Sequence, residues 1–246
     1  MAEHTIGHGG LNFSRFRQES YGSAIQFVQE IGPCTIFRGE VHHKSLISSF
    51  IPNNKIKSSD KVQCNVKHTR TIIHFPDRFL AVIEHLKSPE SHDYIQWNHI
   101  SPHLLIRKYT DKKVGIHNNN EESVCIIMTN DSEDNPLNII EVEGQSHPHL
   151  QGWISRDGRE LVPNPALGFS NFGDNKNFVT VFDFKMQNTG DPYLRIGSNG
   201  KYQRFAIKQD GLKVDFKIRE LEDKNISIEA IIDNIEYPIV TVSISS

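Results

Sequence analysis

KHTRTIIHFPDRFLAVIEHLKSPESHDYIQWNHISPHLLIRK, residues 67–108, decides the fold class. Residues 71–73 lead into Phe75-Pro76-Asp77, where proline fixes φ and removes a backbone donor, so the chain must turn. Residues 79–86 follow as the most apolar run of the chain, and Lys87-Ser88-Pro89-Glu90 reads as a second turn. Beyond it Tyr94, Gln96 and Asn98 alternate with Ile95, Trp97 and His99, and residues 103–107 resume the alternation after Ser101-Pro102. A period of two sends successive side chains to opposite faces, as half-buried strands require. The stretch predicts three or four consecutive antiparallel strands at the centre of a sheet.

The same rhythm extends in both directions. Toward the N-terminus, short strands at 11–17, 24–29, 35–37, 44–50 and 61–66 are separated by turn signals such as Glu30-Ile31-Gly32-Pro33 and Pro52-Asn53-Asn54, while residues 1–10 show neither a cap nor an apolar face. Toward the C-terminus, strands at 123–129 and 137–143 precede a Gly- and Pro-rich segment, 145–172, that predicts a long ordered loop around one short strand. Strands then recur at 178–184, 193–197, 202–207, 212–218, 226–232 and 239–244. Helical periodicity is absent throughout. Strands recurring at roughly 8–12 residue spacing predict an all-β fold of two large stacked antiparallel sheets. With 246 residues, such a chain is expected to form one domain, 1–246.

Composition narrows the partners. The 27 basic and 30 acidic residues leave a net charge of -3, which predicts neither nucleic acid nor an anionic membrane as a partner. Cys34, Cys64 and Cys125 are odd in number and far apart, so buried free thiols are expected rather than a disulfide framework. No apolar run approaches the roughly 20 residues of a membrane span, and no basic-then-apolar leader opens the chain. Of 13 histidines, His74, His85 and His99 sit inside strands and read as structural. His4, His8, His42 and His43 lie in the same region as Asn12, Glu30, Arg38 and Glu40, and imidazole with carboxylate can hold a metal or move a proton near neutral pH. The spacing matches neither HExxH nor a zinc ribbon.

Arg70 ahead of the apolar run 79–84, then His92 and His99-Ile100-Ser101-Pro102, resembles the C-terminal β-sandwich domain of the heparinase II/III family of polysaccharide lyases. Gln151-Gly152-Trp153-Ile154-Ser155, followed by Gly158 and Pro163, is similar to that family's Gly-Trp-x-Ser motif. The resemblance covers residues 4–185, with the later strands continuing the sandwich. It implies a super-β-sandwich and β-elimination on acidic, uronate-containing polysaccharides such as glycosaminoglycans. In that chemistry the C5 proton becomes removable only when the neighbouring carboxylate is neutralised and a base and an acid flank the sugar.

Carried over residue by residue, His8-Gly9-Gly10-Leu11-Asn12-Phe13-Ser14-Arg15-Phe16 aligns with the run that opens the family's sandwich. His8 takes the place of the catalytic histidine, while Gly10 stands where the family has a metal histidine and Asn12 where it has an aspartate. Arg38, for a carboxylate, and Asn12 are the candidates for binding substrate. Glu30-Ile31-Gly32 looks like the family's Asp-x-Gly turn and Val41-His42-His43-Lys44-Ser45 like its Ser-x-His-Asn-Thr segment, which makes Glu30, His42 and His43 the candidate ligands of a zinc ion. No organic cofactor is implied. Family members place a toroid of paired helices before the sandwich, so the resemblance implies a helical toroid domain or subunit as partner, and a bacterial envelope or extracellular setting. The second reading is a non-catalytic glycan-binding or structural module, with Tyr21, Trp97, Trp153 and Tyr202 as candidate stacking aromatics and Trp153 also as the pin of the Gly-Pro loop.

Overall fold

The apolar run after Pro76 becomes the axis of the molecule, a strand that is buried on both faces along its first half. The computed structural model describes residues 2–7, 16–48, 61–146, 151–155, 160–185, 192–197, 200–209 and 211–244, and no helix occurs among them. In chain order the strands are β1 (Ala2–Gly7), β2 (Phe16–Ile31), β3 (Cys34–Ser48), β4 (Lys61–Phe75), β5 (Phe79–His99), β6 (Leu105–Lys108), β7 (Lys113–His117), β8 (Ser123–Asn130) and β9 (Asn138–Val142). They continue as β10 (Trp153–Ser155), β11 (Leu161–Pro163), β12 (Ala166–Asp183), β13 (Tyr193–Ile196), β14 (Tyr202–Gln209), β15 (Leu212–Glu220), β16 (Asn225–Ile232) and β17 (Ile235–Ser243). A ten-stranded sheet runs β2-β3-β4-β5-β12-β8-β7-β6, with β1 added to β5 and β9 to β12, and a five-stranded sheet runs β13 to β17 in order. The expected all-β stack of antiparallel sheets is present.

The larger sheet doubles back on itself. Gln96 Nε2 donates to Glu84 Oε2 at 3.2 Å, yet twelve residues of straight strand would separate them by roughly 40 Å. The bend lies at the segment expected to be a hairpin turn, residues 87–90. Pro89 offers no donor there, Ser88 Oγ accepts from the Glu90 backbone N–H at 3.3 Å, and the same hydroxyl is 2.9 Å from His92 Nε2. Pairing with β12 jumps from Lys87↔Asn175 to His92↔Gly173 across this bend, so one pair of strands passes from one leaf to another. β4 and β5 are neighbours as expected, but the segment at 103–107 is not beside them: β6 pairs with β7 at the far edge, with β12 and β8 between. Residues 2–7, which show no pattern of their own, form β1 because the second half of β5 offers an open edge.

Three leaves therefore enclose two cores. Ile36, Ile73, Ile83 and Val179 of the middle leaf meet Phe205, Phe216 and Ile228 of the five-stranded sheet. On the opposite side Leu86, Ile127 and Phe178 meet Tyr94, Leu167 and Phe169 of the folded-over leaf. Each side chain of this kind contributes about 1.5–3 kcal/mol when withdrawn from water. The β2-β3 turn is locked to the smaller sheet at Gly32, whose φ of 55° places the Tyr237 ring where a Cβ would approach to 2.5 Å. Cys34 and Cys125 are buried free thiols, each pushed up to about 12 by burial; the Cys64 side chain lies outside the described residues.

Candidate functional site

Residues paired across an antiparallel ladder share a face, and three successive rows cross β3-β4-β5-β12 on the side of the five-stranded sheet. They are Arg38-Thr71-Ile83-Val179, Glu40-Thr69-His85-Asn177 and His42-Lys67-Lys87-Asn175. The first row lies under the smaller sheet, where Thr71 Oγ1 donates to Gln203 Oε1 at 2.7 Å. The second lies beneath Gly200, in the connection between β13 and β14. The third is open: the side chains of His42 and Lys67 are 46% and 42% exposed. Strand alternation thus converts a buried apolar face into a cationic shelf within four residues.

Arg38 anchors the shelf from below. It is 2% exposed, Nε donates to Gln26 Oε1 at 2.8 Å, and Nη2 reaches the Gly200 carbonyl at 3.5 Å. Among the described residues, the buried Nη1 has no partner. Burial pulls the guanidinium's pKa down, while the fields of Glu220 and Glu40 push it up. Neither carboxylate pairs with it directly: Gln26 Nε2 donates to Glu40 Oε2 at 3.2 Å, and Glu40 is held at the surface by Lys67 at 2.9 Å and His42 at 3.3 Å. The result is a buried cation whose Nη1 amino group is unspent.

His85 sits in the next row. Asn177 Nδ2 donates to Ser132 Oγ at 2.8 Å, which leaves Asn177 Oδ1 to accept from His85 Nδ1 at 2.7 Å. That relay assigns the proton to Nδ1 and leaves Nε2, also buried and without a partner among the described residues, as an acceptor. Burial lowers the His85 pKa below its ordinary value; the Asn177 bond opposes this, and the charges of Lys87, Arg38 and Lys67 lower it further. A neutral imidazole that accepts and a fixed guanidinium that donates can together hold an oxygen carrying both a proton and partial negative charge. Gly200 closes over the imidazole: a Cβ there would come within 2.5 Å of His85 Cδ2.

The opposite face of the same strands carries a second polar group. Glu84, fully buried, accepts from Arg70 Nε at 2.6 Å and from Gln96 Nε2, lies 3.7 Å from His68 Nε2, and is linked through Gln96 Oε1 to Thr180 Oγ1 at 2.5 Å. His43 stacks on His68, their rings 5.7 Å apart. Here the cation and carboxylate meet directly.

The residues singled out in the sequence do not form one cluster. His8 and Asn12 lie outside the described residues. Glu30 is exposed at the tip of the β2-β3 hairpin, and the strand between it and His42 spans on the order of 25 Å. His42 and His43, being successive in a strand, face opposite sides of the sheet, one exposed beside Glu40 and the other buried against His68. The three expected zinc ligands therefore do not meet, and no group of metal-ligating side chains occurs among the described residues. Of the described candidates, Arg38 and His42 lie in the cluster built here. His85, buried and hydrogen-bonded as its structural reading expects, stands in the adjoining row; the i, i+2 spacing of His85 and Lys87 was visible, but Asn177 is 92 residues away. Trp97 is buried above Gly168, and the Trp153 indole donates to the Gln145 carbonyl at 2.9 Å, holding the loop as expected. Tyr202 is half-buried with Arg219 over its ring, and the Tyr21 side chain is outside the described residues.

No family model matches the chain, and no curated protein does. Among solved structures, the fold is similar to that of a heparinase III gene product, with a TM-score of 0.48 and 12% identity over 90% of this chain and 28% of that one. Its form with methylated lysines gives 0.49 and 13% over 90% and 27%. Heparan sulfate lyase HepC from Pedobacter heparinus gives 0.43 and 12% over 91% and 28%. The chain spans little more than a quarter of the length of these structures.

Proposed function

We propose that this chain is the glycan-facing β-sandwich of a polysaccharide lyase for acidic, uronate-containing chains, working with a helical toroid domain or subunit. The single observation that carries this reading is Arg38, a buried guanidinium with Nη1 unmatched, below a shelf of Lys67, Lys87 and His42. A uronate carboxylate is the type of group such a shelf neutralises, and neutralising it acidifies C5–H. A base takes that proton, its electron pair becomes the C4=C5 double bond, the C4–O bond breaks, and an acid protonates the departing oxygen. His8 is assigned to the proton transfer and Asn12 to substrate binding, and the toroid supplies the remaining acid-base groups.

The test is ultraviolet absorbance of the unsaturated product during incubation of the chain, alone and with a toroid partner, with acidic polysaccharides. The expected result is a rise that His8→Ala abolishes and Arg38→Met reduces by at least tenfold. A rise that neither substitution alters would overturn the assignment. The second reading, a non-catalytic glycan-binding module, is favoured by the depth of Arg38 and His85 beneath Gly200. It predicts retained glycan binding with no absorbance change even when a toroid is supplied.

A further inference from the structure

The outward face of the five-stranded sheet carries an arrangement that the shelf does not explain. Its inward positions, Phe205, Phe216 and Ile228 among them, fill the core. The alternate positions present Tyr193, Arg195, Tyr202, Arg204, Lys217 and Arg219 to solvent. Arg195 stands directly opposite Arg204 in the ladder, and Lys217 is opposite Arg204 on the other side. Like charges facing each other across strands are destabilising. Arg204 is relieved by a fork to Asp215, at 3.1 and 2.6 Å, and Glu229 accepts Lys217 and Arg219 at 3.3 and 3.4 Å. Arg195 has no carboxylate partner among the described residues. A chain with net charge -3 thus keeps a surplus of cations on one flat face.

Two phenol rings punctuate that face. Arg204 Cζ lies 5.7 Å from the Tyr193 centroid, and Arg219 Cζ lies 5.7 Å from that of Tyr202. Tyr193 is 48% exposed. Arg204 sits in register between them, two residues from Tyr202 and two from Ala206, the partner of Tyr193. Alternating ring and guanidinium suit a linear ligand with stackable sugar faces and anionic groups set at intervals. The interspersed Asp215 and Glu229 carry oxygens that can accept sugar hydroxyls.

From this charge complementarity and aromatic spacing, we infer that the outer face of β13–β16 is a second binding surface for a linear anionic glycan, separate from the Arg38 shelf and independent of whether the chain cleaves anything. The experiment is titration calorimetry of the full chain with a size-defined heparin fragment, a polyuronate, neutral dextran and single-stranded DNA of matched charge. The parent is compared with Arg195→Ala, with Tyr193→Ala combined with Arg195→Ala, and with Arg38→Met. The double substitution is expected to weaken heparin or polyuronate binding by about tenfold or more, with an unchanged thermal midpoint, and Arg195→Ala alone by less. Unchanged affinity in the outer-face variants, or equally tight binding of DNA, would overturn the inference. Loss in Arg38→Met alone would sink this surface and leave the shelf standing; loss in the outer-face variants alone would do the reverse.

Discussion

The two faces of the β3-β4-β5 ladder hold two arginine-containing clusters, and they solve the same electrostatic problem differently. On the folded-over side, Arg70 meets a fully buried Glu84, and Gln96 and Thr180 extend the contact. On the side of the five-stranded sheet, Arg38 is more deeply buried than Arg70 but receives only an amide oxygen and a distant carbonyl, and Nη1 is left unmatched. A buried charge with its counter-charge in contact holds structure; a buried charge whose carboxylates stand off at the surface is available to something else. Under the proposed function, the difference separates scaffold from site on two faces of one sheet.

Four measurements break or sharpen that contrast, the largest effect first. Glu84→Ala leaves Arg70 and Gln96 facing an emptied interior and is expected to cost about 3–5 kcal/mol in denaturant unfolding; a loss under about 1 kcal/mol would erase the distinction between the clusters. Gly200→Ala combines a φ of 75° with a Cβ pressed onto His85, and is expected to cost about 2 kcal/mol or more in thermal unfolding. Arg38→Met replaces an incompletely satisfied cation by an apolar chain of similar length. Its stability should stay within about 1 kcal/mol of the parent while glycan binding at the shelf is lost. A destabilisation matching that of Glu84→Ala would make Arg38 scaffold.

The smallest effect is on pH. His85 is held below its ordinary 6.5 by burial first, so the unfolded chain takes up the proton before the folded one does. Its contribution is complete above pH 6.5 and declines as pH falls from there through the folded value. His85→Gln should flatten that segment of the stability profile, and an NMR titration of the imidazole should give a midpoint below the ordinary value. A midpoint at or above it would contradict the burial of the imidazole among the Lys87, Arg38 and Lys67 charges.

The strand content was legible because alternation and turn residues are local. Residues 79–86 announced a central strand, and Gly32-Pro33 a true hairpin turn. The layer crossing was not legible. Ser88-Pro89-Glu90 looks the same whether it reverses a strand or bends it, and Gly168, Gly173, Asn171 and Asn175 made the first half of β12 look like loop. What decides is pairing with β5, 67 to 104 residues earlier in the chain. The site follows the same rule. Arg38 was found from its residue type, but the unmatched Nη1 and the tautomer of His85 depend on Gly200, Asn177 and Ser132, none of which is near them in sequence.

Because β5 and β12 each belong to two leaves, neither core can be completed while the other is open. Closing Phe79↔Asp183 and His99↔Ala166 ties together ends separated by most of the intervening chain. Loop-closure entropy must be met before these contacts reward it. The folding rate should therefore be limited by the meeting of these two long strands, with the locally connected β13–β17 meander forming early. Expression of the chain would then depend less on final stability than on how long the unpaired edges of β5 wait in solution.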